Sequence, residues 1–137
     1  MGTDIHIHIE HKSRKKKKFV YDFEAYGERI YSLFGVLTGT RGDSDALYDP
    51  RGLPKDVSPE VLEEYKLWDG DAHTHSWLTT EEFGKCLDSY FEDCTKVAGN
   101  SEEYVREWMS SYYKIYEYMK YSEDEGEPSR IVFWFDN

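Results

Sequence analysis

Near the start of the chain Ile5, Ile7 and Ile9 alternate with Asp4, His6, His8 and Glu10. Strict alternation of β-branched with polar residues marks a half-buried strand, here about 3–11. Successive side chains of a strand point to opposite faces, so the isoleucines turn to a core and the four ionisable groups line the other face. Phe19, Tyr21 and Phe23 alternate in the same way over about 18–26. The short segment between the two runs makes an antiparallel hairpin the simplest connection.

The apolar period then lengthens. Ile30, Leu33, Phe34 and Leu37 fit a short helix. Residues 39–57, rich in Gly, Pro and Asp, break the pattern and read as a long loop, a feature that is often functional. Within it Arg41-Gly42-Asp43 reads as a turn, and Pro50-Arg51-Gly52-Leu53-Pro54 sets one arginine between rigid turn residues. Its guanidinium would grip a phosphate or carboxylate, or pair with a local aspartate. Ser58-Pro59 opens a helix with a stripe of Val61, Leu62, Tyr65 and Trp68, and Asp69-Gly70-Asp71 closes it. Thr79-Thr80-Glu81-Glu82 is a capping box, with Leu78 and Phe83 as its hydrophobic staple. That helix runs to about Val97, and another follows from Ser101 to about Tyr121. Ile131 to Phe135 is a continuous apolar run, as expected of a strand buried on both faces. The expected architecture is a single α+β domain over 1–137. Its sheet is three-stranded and mainly antiparallel, the N-terminal hairpin plus the C-terminal strand, packed with about four helices.

Composition narrows the partners. The chain has 137 residues, a formal charge of −11 and 17% aromatics, enough for a ring-rich core. Residues 11–18 hold six of the seventeen Lys and Arg, so the remainder carries eleven basic against twenty-eight acidic residues. An acidic body repels nucleic acid, and the lysine run reads as a solvated hairpin tip. No apolar run approaches the roughly 18–20 residues of a membrane span, and no signal-peptide pattern opens the chain. Cys86 and Cys94, eight residues apart on one expected helix, would be about 12 Å apart, too far to bridge. Reduced cysteines place the protein in a cytoplasm, with no nucleic-acid or membrane partner expected.

The chemistry gathers on histidine. Four of the five histidines form two His-x-His pairs, His6/His8 and His73/His75, each preceded two residues earlier by an aspartate, Asp4 or Asp71. Imidazole suits both metal ligation and proton transfer near neutral pH. Metal and catalytic sites collect such groups from distant segments, so the pairs are expected to converge. His6, His8, His73, His75 and Asp71 could together hold a divalent metal, zinc or manganese, although the pattern fixes no cofactor. His6, His73 and His75 are the catalytic candidates. His73 and His75 read as a connection just ahead of the Thr79 cap, where a helix N-terminus favours an anion. Paired His-x-Ser/Thr motifs of two-histidine phosphoesterases do not match, since His8 and His75 hold the third positions.

Met1-Gly2-Thr3-Asp4-Ile5-His6 with Glu10, Arg29-Ile30-Tyr31-Ser32-Leu33-Phe34, Pro50-Arg51-Gly52-Leu53-Pro54, Asp71-Ala72-His73-Thr74-His75-Ser76-Trp77-Leu78 and the terminal Phe135-Asp136-Asn137 together resemble a family of small, uncharacterised bacteriophage proteins. The resemblance covers most of the chain except the tyrosine-rich helix near residue 112. Members read His-Ser-His-Ser where this chain has His-Thr-His-Ser, so a hydroxyl is kept. The resemblance implies a phage setting, hence the host cytoplasm, and a shared polar constellation of Asp4, His6, Glu10, Arg51, Asp71, His73, His75 and Ser76. By analogy with small phage factors, the first expectation is an accessory or counter-defence protein that binds a small, nucleotide-derived ligand through these residues. A divalent-metal hydrolase of phosphoesterase type using the same cluster is the second. An acidic inhibitor that binds a host protein is the third.

Overall fold

A computed structural model describes residues 2–42, 45–68 and 70–137. Asp43 of the expected turn, Asp69 of the expected helix stop and Met1 lie outside the described residues. In chain order the elements are strands β1 (Ile5–Ser13) and β2 (Lys18–Ala25), helices α1 (Tyr31–Thr38) and α2 (Pro59–Trp68), and strand β3 (His73–Thr79). Helix α3 (Thr80–Glu92) continues into a π-helical turn, Asp93–Val97, and is followed by α4 (Glu102–Trp108), α5 (Ser110–Asp124) and strand β4 (Ser129–Phe135).

The four strands form one antiparallel sheet in the order β2-β1-β4-β3. The expected three-stranded sheet with about four helices is therefore corrected to four strands and, among the described residues, five α-helices. The missed strand is β3. His73-Thr74-His75-Ser76 lacks an apolar alternation, and the cap that follows at once draws the eye to the helix instead. The extra helix comes from a break at Met109, whose ψ of 9° leaves the helical range with no Pro or Gly to announce it. The apolar run of β4 is central and buried at every position, as its composition requires.

The hairpin and the isoleucine face stand as read. Ile5, Ile7 and Ile9 join Phe133, Phe135 and Leu78 in the main core, against helices that include α1, α3 and α5. The Thr79 capping box is present in full, the threonine oxygen accepting from Glu82 N–H and the Glu82 carboxylate from Thr79 N–H. Cys86 and Cys94 are free and buried in that core. The polar face of β1 is covered instead of solvated. Val61, Tyr65 and Trp68 of α2, with Leu53 and Val57 ahead of it, close over Val132 and Trp134 as a second, smaller core. No helix among the described residues is long and apolar enough to cross a membrane.

Candidate functional site

Where β1 begins and β4 ends, the two termini of the chain knit a polar cluster. His6 Nε2 lies 2.7 Å from Asp136 Oδ2. A carboxylate only accepts, so this nitrogen carries the hydrogen and Nδ1 is left as the basic atom. Asp4 N–H donates to Asp136 Oδ1 at 3.2 Å, and Asp136 N–H donates to the Asp4 carbonyl at 3.1 Å. Partial burial would raise the Asp136 carboxyl, but the bonds from His6 and Asp4 hold it below the usual carboxylate range. The His6 ring rests on Trp68, centroids 4.2 Å apart. The Asp4 carboxylate pairs with Arg29 at 2.9 Å. Gly2 lies so close to that guanidinium that a Cβ there would strike Nη1. His6, Asp4, Arg29, Glu24, Tyr26 and Gly27 border a cavity of about 500 Å³.

A second cavity lies at the same end of the sheet, beside the start of β3. Asn137 Oδ1 accepts from the Thr3 hydroxyl at 3.0 Å and from His73 Nε2 at 3.1 Å, and His73 Nδ1 lies 2.9 Å from the Thr74 hydroxyl. Thr3 N–H donates to the Tyr31 phenol oxygen at 3.0 Å, and the Arg41 guanidinium sits 4.5 Å over the Tyr31 ring. The Thr3 bond, with Arg29 and Arg41 nearby, draws the Tyr31 phenol below its ordinary value. Thr38, Gly39, Thr40, Arg41, His73, Thr74 and Asn137 line a cavity of about 610 Å³. Among the described residues, no lining side chain is a carboxylate. The α1 end that faces it is already capped, Gly39 N–H donating to Gly35 O and Leu47 N–H to Val36 O.

Backbone strain falls on the same cavity. Arg41 and Thr74 have φ of 60° and 56°, the left-handed region that costs an L residue about 1–2 kcal/mol and a β-branched one more. Strain of this kind persists where surrounding structure enforces it, and it clusters at binding sites. At residue 42 the chain is pressed against α1, for a Cβ on Gly42 would meet Gly35 Cα at 2.6 Å. At Thr74 the enforcing feature is a bulge, since the register of β3 on β4 shifts between His73 and Ser76.

That bulge divides the second histidine pair. In a regular strand His73 and His75 would share a face. Here His73 lies beside Phe135, centroids 6.2 Å apart, whereas His75 lies beside Trp134 at 6.1 Å. Phe135 and Trp134 are consecutive on β4 and point to the main core and the α2 side. The expected convergence of both pairs into one cluster is corrected accordingly. His6 and His73 reach the same end of the sheet, on Asp136 and Asn137. His8 and His75 are packed away under α2 around Trp134, with their Nε2 atoms and Trp134 Nε1 buried and unpartnered. Burial, then the neighbouring His6, lowers the His8 pKa to about 4, and burial with His73 nearby lowers that of His75. Both rings pack against Trp134.

The other expected residues are dispersed. Glu10 is fully buried further along β1, accepting from Arg130 Nε at 2.7 Å and from Ser58 N–H at 2.7 Å. Arg51 is held bidentately by Glu82 at 2.6 and 2.5 Å, and its guanidinium lies 4.8 Å over Trp77. Its fork is filled by the helix-capping carboxylate, so it is a clasp between the loop and α3. Ser76 accepts the Arg51 N–H at 3.1 Å in that clasp. Asp71 is exposed in the turn after α2. Among the described residues, no three His, Cys, Asp or Glu side chains gather as a metal would need. The set His6, His8, His73, His75 and Asp71 is thus not brought together. Nor does His73 sit at the α3 N-terminus, for it is at the opposite end of β3 from Thr79.

A cavity of about 830 Å³ borders Arg51 and Arg130, but both guanidiniums are engaged, and Asp56, Glu81 and Glu123 share its wall with Lys55. It carries less chemistry than the strand-end cavities. The residues that sequence reading missed are Tyr31, Arg29, Asp136 and Asn137, all within segments that carried the phage-family resemblance, and Arg41, which stood only as part of a turn. No family model, no curated protein and no solved structure matches the chain.

Proposed function

We propose that the protein binds a small phosphate-bearing molecule in the cavity of Arg41 and His73. The observation that carries this reading is the lining itself. In a chain of net charge −11, one cavity presents a guanidinium, an imidazole, three threonine hydroxyls and a carboxamide, with no acidic side chain among the described residues of its lining. Such a set complements an anion, and the guanidinium fork matches phosphate oxygens. Two strained residues hold it in shape before any ligand arrives, which lowers the ordering cost of binding. A nucleotide-derived ligand belongs to this class. In the phage setting implied by the family resemblance, sequestering such a molecule is the work of an accessory or counter-defence factor. The metal-dependent hydrolase draws less support, because its liganding residues do not meet.

Calorimetric titration with inorganic phosphate and pyrophosphate tests the reading. Saturable binding by the parent, lost in Arg41→Ala and weakened in Arg41→Lys, supports it. Absence of binding, or equal binding by parent and Arg41→Ala, rejects it.

A further inference from the structure

The turn between β1 and β2 concentrates positive charge in an acidic chain. Arg14, Lys15, Lys16, Lys17 and Lys18 are consecutive and all exposed, with exposed Lys12 just before them. Among the described residues, none of these six side chains pairs with a carboxylate. Glu127, beside the turn, accepts the Arg14 backbone N–H at 3.1 Å and so braces the main chain. The turn is fixed from within as well. The Ser13 hydroxyl accepts from Lys16 N–H at 3.0 Å, and the Ser13 carbonyl accepts from Lys17 N–H at 2.7 Å. Lys17 has a φ of 56°, a left-handed conformation that glycine adopts freely and that strains a residue with a side chain. Adjacent like charges and a lysine at a glycine position both oppose folding. A dense row of negative charge outside the molecule would offset both.

We infer that this hairpin tip is a docking surface for duplex DNA, which it enters end-on through the major groove. Two strands about 4.8 Å apart make a ribbon narrow enough for a groove about 12 Å wide, walled by two rows of phosphate. Summed charge argues against a nucleic-acid partner, but its distribution favours one at this tip. Outside residues 11–18 the chain holds eleven basic against twenty-eight acidic residues, so a polyanion is turned away from the body and steered to the turn. A membrane fits less well. Residues 14–18 offer no apolar side chain to enter it, and a flat leaflet would lie against the acidic segment 123–127, from which a duplex curves away. A protein partner fits less well too, since protein interfaces are depleted in lysine. Ammonium groups are point charges without a fixed fork, so the contact follows the phosphate rows and not the base sequence.

The test is fluorescence anisotropy of a labelled, random-sequence DNA duplex titrated with the full chain across a range of salt. In low salt the parent should bind, with a logarithmic salt slope of about −4 to −5 for five phosphate contacts. The triple variant Lys15→Gln, Lys16→Gln, Lys17→Gln should weaken binding more than about tenfold and flatten the slope by about three. Lys17→Gly separates binding from architecture. It should raise the melting temperature, because the strain is relieved, yet weaken DNA binding and flatten the slope by about one. A raised melting temperature with unchanged DNA affinity would mark a merely solvated turn and overturn the inference. So would no binding in low salt, or equal affinity for phosphatidylserine vesicles or polyglutamate. Duplex RNA, whose major groove is too deep and narrow for a ribbon, should bind more weakly, and equal binding would overturn the groove. Arg41→Ala should leave DNA affinity unchanged. A loss there, with none in the triple variant, would move the contact to the phosphate cavity.

Discussion

His6 Nε2 stands 2.7 Å from Asp136 Oδ2 although 130 positions of sequence separate the two residues. The contact exists because β1 and β4 are antiparallel neighbours with His6 opposite Trp134, which brings the start of one strand to the end of the other. Every residue of the strand-end cluster owes its place to that register. Asp4 reaches Asp136, Thr3 reaches Asn137, and His73 reaches Asn137 from the far side of β4.

Removing this link should be felt in stability. His6→Ala deletes the bond to Asp136 and the ring packed against Trp68. With both contacts largely shielded from water, the expected loss is about 2 kcal/mol in urea unfolding. A loss below about 0.5 kcal/mol would show that neither contact contributes.

Acid should destabilise the fold through His8. Its folded pKa is lowered to about 4 from 6.5, so below pH 6.5 the unfolded chain takes up a proton that the native state refuses. Stability is therefore complete above the unfolded value, falls as pH drops towards about 4, and levels off below it. By pH 5 the contribution lost is about 2 kcal/mol. His75, shifted in the same direction, adds to the slope. His8→Phe should flatten the profile between pH 7 and 5, and an unchanged slope would acquit His8.

Glu10→Ala should be among the most damaging single changes. It leaves Arg130, only 4% exposed, with Asp56 as its one remaining carboxylate partner among the described residues, and removes the acceptor of Ser58 N–H at the entrance to α2. Breaking a buried pair from one side costs about 3–5 kcal/mol. Thermal unfolding of the variant, with loss of tryptophan burial as α2 loosens, is the measurement.

Arg51→Lys should reduce stability by about 1 kcal/mol and leave phosphate binding untouched. Glu82 is held at about pKa 2 chiefly by its bond from Arg51, against 4.5 ordinarily. The stabilisation it represents is present above pH 4.5 and fades as pH falls towards 2, and the variant should show a shallower loss over that window. A drop in phosphate affinity in Arg51→Lys would move the binding site to the loop.

Local pattern determined much of this protein. The alternation of Ile5, Ile7 and Ile9 set both the strand and its core face, because the side-chain period of two leaves no other arrangement that buries all three. The Thr79–Glu82 box marked the start of α3, since its partners are three residues apart and need nothing from elsewhere. The all-apolar β4 declared itself central. The candidate site was legible only in part: Asp4, His6 and His73 were singled out as residue types, and they do reach one end of the sheet.

What only the tertiary structure decided depends on partners far along the chain. β3 is a strand because β4 offers it an edge, with Trp77 opposite Val132, and its own His-Thr-His-Ser start shows no strand pattern. The left-handed turn at Thr74 splits His73 from His75, and a backbone angle of that kind leaves no trace in residue order. Arg51 became a clasp because Glu82 lies within reach, whereas Arg41 lines a cavity with no acidic side chain among the described residues. Two arginines in similar loop contexts met different surroundings, and only the residues that folding brought beside each could separate them.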